Sequence, residues 1–202
     1  MIKGIAWLGM TVLALAVAGY ASTMLFAPEF RPSFARVLFT ERPVATFVHL
    51  ASGAVALAVG AFQVNSRLRA RFPEAHRWLG RLYVIAVVIG GVAAFSLALR
   101  AVGGLLTHLG FGLLAVCWIG STLSAYRHIR GGNRSAHQDW MLRSYALTLA
   151  AVTLRVYLPA SLFAGVPFEA AYRAISWLCW VPNLLIVEWF MRSRRSRTPV
   201  AA

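Results

Sequence analysis

The chain has 202 residues, 59% of them hydrophobic and only 13% charged, with a mean hydropathy of +0.67. This balance excludes an ordinary soluble domain, because several apolar runs exceed the roughly 18 residues that a membrane-crossing helix needs. A formal net charge of +14 would point to nucleic acid in a soluble protein. Here the arginines cluster in short loops and near the C-terminus, where they set topology and meet anionic lipid, so the expected partner is the bilayer and not nucleic acid.

Six spans can be placed, at about 4–26, 44–64, 74–99, 104–125, 137–162 and 174–192. They define an all-α integral membrane protein with three parts: 1–43, a first helix and a mixed-charge outer loop; 44–162, a four-helix core; 163–202, a sixth helix and a basic tail. Lys3 before the first span resembles a signal-peptide start. The apolar run continues to Phe26, however, longer than the roughly 7–15 residues of a cleaved h-region, which predicts a retained helix. The loop that follows, from Pro28 to Pro43, has room for a short interfacial helix, and Pro43 suits the first turn of span two.

Spans two to five carry an internal repeat. His49-Leu50-Ala51-Ser52-Gly53 opens span two, a basic loop with Arg67, Arg69 and Arg71 follows, and Ala75-His76 with Arg81-Leu82-Tyr83 opens span three. His108-Leu109-Gly110-Phe111-Gly112 opens span four, a loop with Arg127, Arg130 and Arg134 follows, and Ala136-His137 with Arg143-Ser144-Tyr145 opens span five. A duplicated two-helix unit of this kind forms sites where the copies face each other. Pro73 and Glu74 suit the first turn of span three, and Ser135-Ala136-His137-Gln138 has the form of a capping box. The two arginine-rich loops and the tail arginines Arg192, Arg194, Arg195 and Arg197 fall on the N-terminal side of the membrane. The positive-inside rule makes that side cytoplasmic, with both termini there.

This topology sorts four histidines into an outer pair, His49 and His108, and an inner pair, His76 and His137. Small residues share their helix faces, which serves close packing alone or leaves room for a flat ligand. Facing imidazoles on two helices can take both axial positions of a haem iron. The four histidines are therefore candidate metal ligands for haem b, with Arg81, Arg143 and Arg155 as candidate partners for its carboxylates. Such a protein would pass electrons between a small reductant or quinol and an acceptor, as a transmembrane oxidoreductase.

A second reading rests on the arginines. Charge at membrane depth is costly and usually functional. Glu188 near the inner end of span six can neutralise Arg81 or Arg143, whereas Arg155 has no acid at its depth, and only Glu169 in the outer loop is near enough in sequence to reach it. Arg155 is then expected to hold a carboxylate, a phosphate or backbone carbonyls. The repeat would line a pocket for a small anionic or lipid-like molecule. Packing alone, in a structural accessory protein, accounts for the same residues without a ligand. No Ser-His-Asp arrangement, phosphate-cradling glycine loop or zinc-spaced cluster is present, and no catalytic residue is assigned. Cys117 and Cys179 fall inside spans and read as small hydrophobes.

The motifs His76-Arg77-Trp78-Leu79-Gly80-Arg81-Leu82-Tyr83 and Trp140-Met141-Leu142-Arg143-Ser144-Tyr145-Ala146-Leu147-Thr148 … Val152-Thr153-Leu154-Arg155 resemble a family of bacterial predicted membrane proteins carrying a domain of unknown function. The resemblance covers about 45–160 and implies no activity. The family pattern has arginine after the second motif histidine, where this chain has Gln138, so any ligand role of that arginine does not carry over. A more distant similarity, in spacing and topology only, is to two-haem transmembrane b-type cytochromes. It implies the pairs His49 with His108 and His76 with His137.

Overall fold

The computed structural model describes residues 4–195; Lys3 and Arg197 lie outside that range. It contains α1 (Gly4–Phe26), a 3-10 turn at Pro28–Phe30, α2 (Ser33–Glu41), α3 (Pro43–Gln63), α4 (Ser66–Arg71), α5 (Pro73–Ala98), α6 (Leu105–Arg130), α7 (Arg134–Thr148), α8 (Ala150–Phe163), α9 (Phe168–Leu178) and α10 (Val181–Arg195). Among the described residues six stretches are long and apolar enough to cross a membrane: α1, α3, α5, α6, α7 with α8, and α9 with α10. Their outward faces stay apolar, with Val92 61% and Ile186 62% exposed, as lipid requires and water does not.

Several boundaries differ from the sequence expectation for identifiable reasons. The loop after α3 folds into the short helix α4, because Asn65 accepts the Arg67 and Leu68 amides as its N-cap. Asn133, rather than Ser135, caps α7 by accepting from the Ala136 amide, whereas its counterpart α5 opens at Pro73 with no side-chain cap. Helix α6 runs on to Arg130 because Arg127, His128 and Arg130 in its last turn suit the negative end of the dipole. It stops at Gly131-Gly132, where Gly132 takes a φ of +79° that side chains disfavour. The sixth span starts earlier than expected, at Phe168, where Glu169 sits in the first turn and pairs with Arg173 one turn on.

The fifth and sixth spans are each interrupted once, at Leu149 and at Cys179-Trp180. Pro182 lacks the amide that would continue the ladder through the second break. Asn183 spans both interruptions: its Nδ2 lies 3.3 Å from the Ala146 carbonyl, 3.1 Å from the Cys179 carbonyl and 3.0 Å from Thr153 Oγ1. The four half-spans are thereby held in register.

The bundle is two antiparallel hairpins, α3 with α5 and α6 with α7, joined through the packing of α5 on α6. Helix α1 lies against α3 and α8, while α9 and α10 cover α6, α7 and α8. Close approach depends on Gly60 in α3. A Cβ there would meet the Tyr145 ring and stand 2.9 Å from the Tyr83 ring. The Arg-x-Tyr element of each repeat copy thus delivers its tyrosine to the same glycine.

Two opposed effects set the outcome of Gly60→Ala. Better helix propensity favours alanine by about 1 kcal/mol, but overpacking a filled core costs about 1–3 kcal/mol. We expect a lower thermal midpoint for the purified variant. Gly120→Ala, where nothing lies within 4 Å of the new carbon, should melt at or above the wild-type temperature.

Candidate functional site

Each copy of the repeat builds the same surface element at the end of the bundle that carries the basic loops. The Arg81 guanidinium lies 4.6 Å from the Trp78 ring centroid, and that of Arg143 lies 4.7 Å from the Trp140 ring. Trp-x-x-Arg-x-Tyr is therefore the strict repeat, with the extra residue of the second copy falling between His137 and Trp140. Arg81 is exposed. Arg143 is not, and its Nε and Nη2 donate to the two oxygens of Glu188 at 2.5 and 3.1 Å. A planar fork on a planar carboxylate is the strongest polar pairing available to arginine, and here it fastens α7 to α10.

Midway through the bundle a buried hydroxyl network joins the two hairpins. Tyr83 Oη lies 2.8 Å from both Ser144 Oγ and Thr148 Oγ1, Trp118 Nε1 donates to Thr148 Oγ1 at 2.8 Å, and Thr122 Oγ1 lies 2.6 Å from Ser144 Oγ. Tyr145 Oη donates to the Leu57 carbonyl at 3.3 Å. Every member finds a partner, as burial without water demands. Ser144 and Thr148, one helical turn apart inside an apolar span, are the sequence signal for this network.

Three of the four histidines hold backbone carbonyls. His49 Nδ1 lies 3.2 Å from the Gly90 oxygen, His108 Nε2 lies 2.8 Å from the Ala101 oxygen, and His137 Nδ1 lies 2.9 Å from the Ala125 oxygen. Since a carbonyl only accepts, the named nitrogen carries the proton in each case. Gly90 lies about 12 Å of helical rise before the end of α5 at Ala98, and Ala101 lies in the turn beyond it. The structure therefore does not bring His49 beside His108. It does bring His76 and His137 together as electrostatic neighbours, with Arg69 alongside.

Arg155 occupies a different setting, nearer the other end of the bundle. Pro159 one turn ahead of it has no amide to offer the Arg155 carbonyl. Its Nη1 donates to the Ala151 carbonyl at 3.0 Å, one turn back on α8. Its Nε is fully buried with no hydrogen-bond partner. The guanidinium lies 5.6 Å from the Tyr20 ring centroid on α1. Tyr172 on α9 is a second electrostatic neighbour, and His49 on α3 feels the arginine charge. Glu169, the one acid expected to reach Arg155, is paired with Arg173 at 2.9 Å. Sequence reasoning reached Arg155 but missed Tyr20 and Tyr172, which come from distant spans and carry no local pattern. Among the described residues no three His, Cys, Asp or Glu side chains group as a metal site.

These features define a polytopic membrane protein with six candidate spans, built on a duplicated helical hairpin and carrying a partly buried arginine whose Nε has no hydrogen-bond partner. The model of the family described as predicted membrane protein (DUF2306) matches residues 46–191, well over half of the chain, and the protein belongs to that family. The match extends beyond the resemblance read from the sequence to include the sixth span. No curated protein and no solved structure matches the chain, and the similarity to two-haem cytochromes finds no support there.

The Arg143–Glu188 pair gives a direct test of this packing. Glu188→Gln strands a partly buried guanidinium, and we expect a loss of about 1–3 kcal/mol, read as a lower thermal midpoint. The double variant Arg143→Gln/Glu188→Gln should recover part of the loss, and additive effects of the two changes would contradict the pairing.

Proposed function

We propose that the protein is a membrane-embedded binder or carrier of a small anionic or lipid-like ligand, held at Arg155. The observation that carries this reading is the buried Arg155 Nε without a partner, in a helix apolar enough to cross a membrane. A charge at that depth costs at least about 2.5–3.5 kcal/mol. Arg143 has the same fork, Nε with Nη2, and fills it with Glu188. Arg155 donates from Nη1 to its own helix, and its buried Nε is left for an acceptor that no described residue supplies. Tyr20 and Tyr172 add phenol groups near it and no negative charge.

Arg155→Gln keeps the size of the side chain roughly and removes the charge. We expect the variant to melt no lower than the wild type without ligand, because an uncompensated cost is lifted. With a bound anion at a hundred times its Kd, the wild type should gain about 2.7 kcal/mol, and the variant should gain nothing. A thermal-shift panel of carboxylates and phosphates checks this. Equal shifts in both proteins, or none in the wild type, would refute the reading.

One observation favours the haem reading, namely that His76 and His137 are neighbours and that His137 keeps Nε2 free while Nδ1 holds the Ala125 carbonyl. That proximity is what favours a single b haem at the inner pair over two. The Arg155 reading expects no Soret band in protein purified after haem-supplemented expression, whereas a band lost in His137→Ala would establish the haem.

A further inference from the structure

We infer that the ligand of the Arg155 site is a long-chain monocarboxylate that enters sideways from the bilayer, its carboxylate on the Arg155 fork and its tail among the lipid chains. This rests on the anion-binding reading above and adds the ligand class and its route.

The charge balance selects a single negative charge. Arg155 is the one permanently charged group in the cluster. His49 has Nδ1 committed as a donor to the Gly90 carbonyl, and the remaining groups are the Tyr20 and Tyr172 phenols. A phosphomonoester brings nearly two charges and in buried sites calls for a second cation. A carboxylate presents two coplanar oxygens and one charge, which is the geometry that Arg143 already accepts from Glu188.

Depth and shape select a tail. Arg155 lies eight residues from Phe163 at the end of α8, about 12 Å of helical rise, deeper than a phospholipid headgroup sits. Toward that end of the bundle the way is filled by aromatic rings. Tyr172 lies 5.2 Å from Phe168 and 5.1 Å from Phe111, and Phe168 lies 6.0 Å from Phe34 of α2. Water-soluble anions have no open approach through that stack. The membrane-facing side is different, since Tyr20 is 41% and Val156 55% exposed on the two helices, α1 and α8, that flank the guanidinium. Apolar side chains border this seam, so a slim amphiphile can lie along it without leaving hydrocarbon.

The test is titration of carboxyl-13C oleate, acetate and inorganic phosphate into the full-length protein in phosphatidylcholine nanodiscs, followed by the carboxyl carbon resonance and by thermal shift. Oleate should bind, with affinity reduced tenfold or more in Arg155→Gln, and to a smaller degree in Arg155→Lys, which keeps the charge without the fork. Tyr20→Trp, which fills the seam, should weaken oleate binding while leaving the fold intact by thermal midpoint. Acetate or phosphate binding that depends on Arg155, without oleate binding, would overturn the long-chain ligand and its lateral route while the anion reading stood. Absence of Arg155-dependent binding of all three would overturn both.

Discussion

The bundle closes on one contact, where Tyr83 and Tyr145 meet beside Gly60. Between helices in a bilayer no hydrophobic gain drives association, because lipid tails are as apolar as the side chains, so close packing and internal hydrogen bonds must hold the spans together. The missing Cβ at Gly60 lets both rings approach α3. Their hydroxyls then reach Ser144, Thr148 and the Leu57 carbonyl. Packing and hydrogen bonding are thus one event, and the duplication supplies one tyrosine from each copy. The sixth span fastens to the fifth through the Arg143–Glu188 fork and the three contacts of Asn183, and α1 fastens to α3 where Trp7 Nε1 donates to the Ala61 carbonyl.

Two arginines of the same span meet different surroundings. Arg143 spends its fork within the chain and becomes structural. Arg155, three turns on, anchors one nitrogen to its own helix and leaves its Nε buried without a partner. The interruption at Leu149 lies between them, so the two halves of the span belong to different packing units, α7 against α6 and α10, α8 against α1 and α9. A site on the second unit is set apart from the rigid hydroxyl network of the first. Discontinuous helices with a charged residue near the break are the arrangement by which membrane proteins place ligands at depth.

The fold was largely legible in the sequence because apolar run length reports span number directly. Six runs gave six spans, and the duplicated motif gave the two hairpins. The errors came where hydropathy is blind to backbone chemistry. Asn65 and Asn133 cap helices in stretches that composition marks as loops, and Glu169 with Arg173 lowers the hydropathy of a segment that is nonetheless helical. At the site, Arg155 was legible because a lone charge in a span has no local explanation. Its neighbours were not, since Tyr20, His49 and Tyr172 converge from three other spans and nothing in their spacing links them. The histidine pattern illustrates the converse: His49 and His108 open matching segments of the two copies, yet one bonds the Gly90 carbonyl within α5 and the other the Ala101 carbonyl in the turn after it.

The central claim is that Arg155 holds an anion foreign to the chain. Native mass spectrometry of the protein extracted from its own membrane tests it most directly, comparing the wild type with Arg155→Gln. The account predicts one acidic small-molecule adduct on the wild type that is absent from the variant. Identical adduct patterns, or a wild type that carries none, would contradict it.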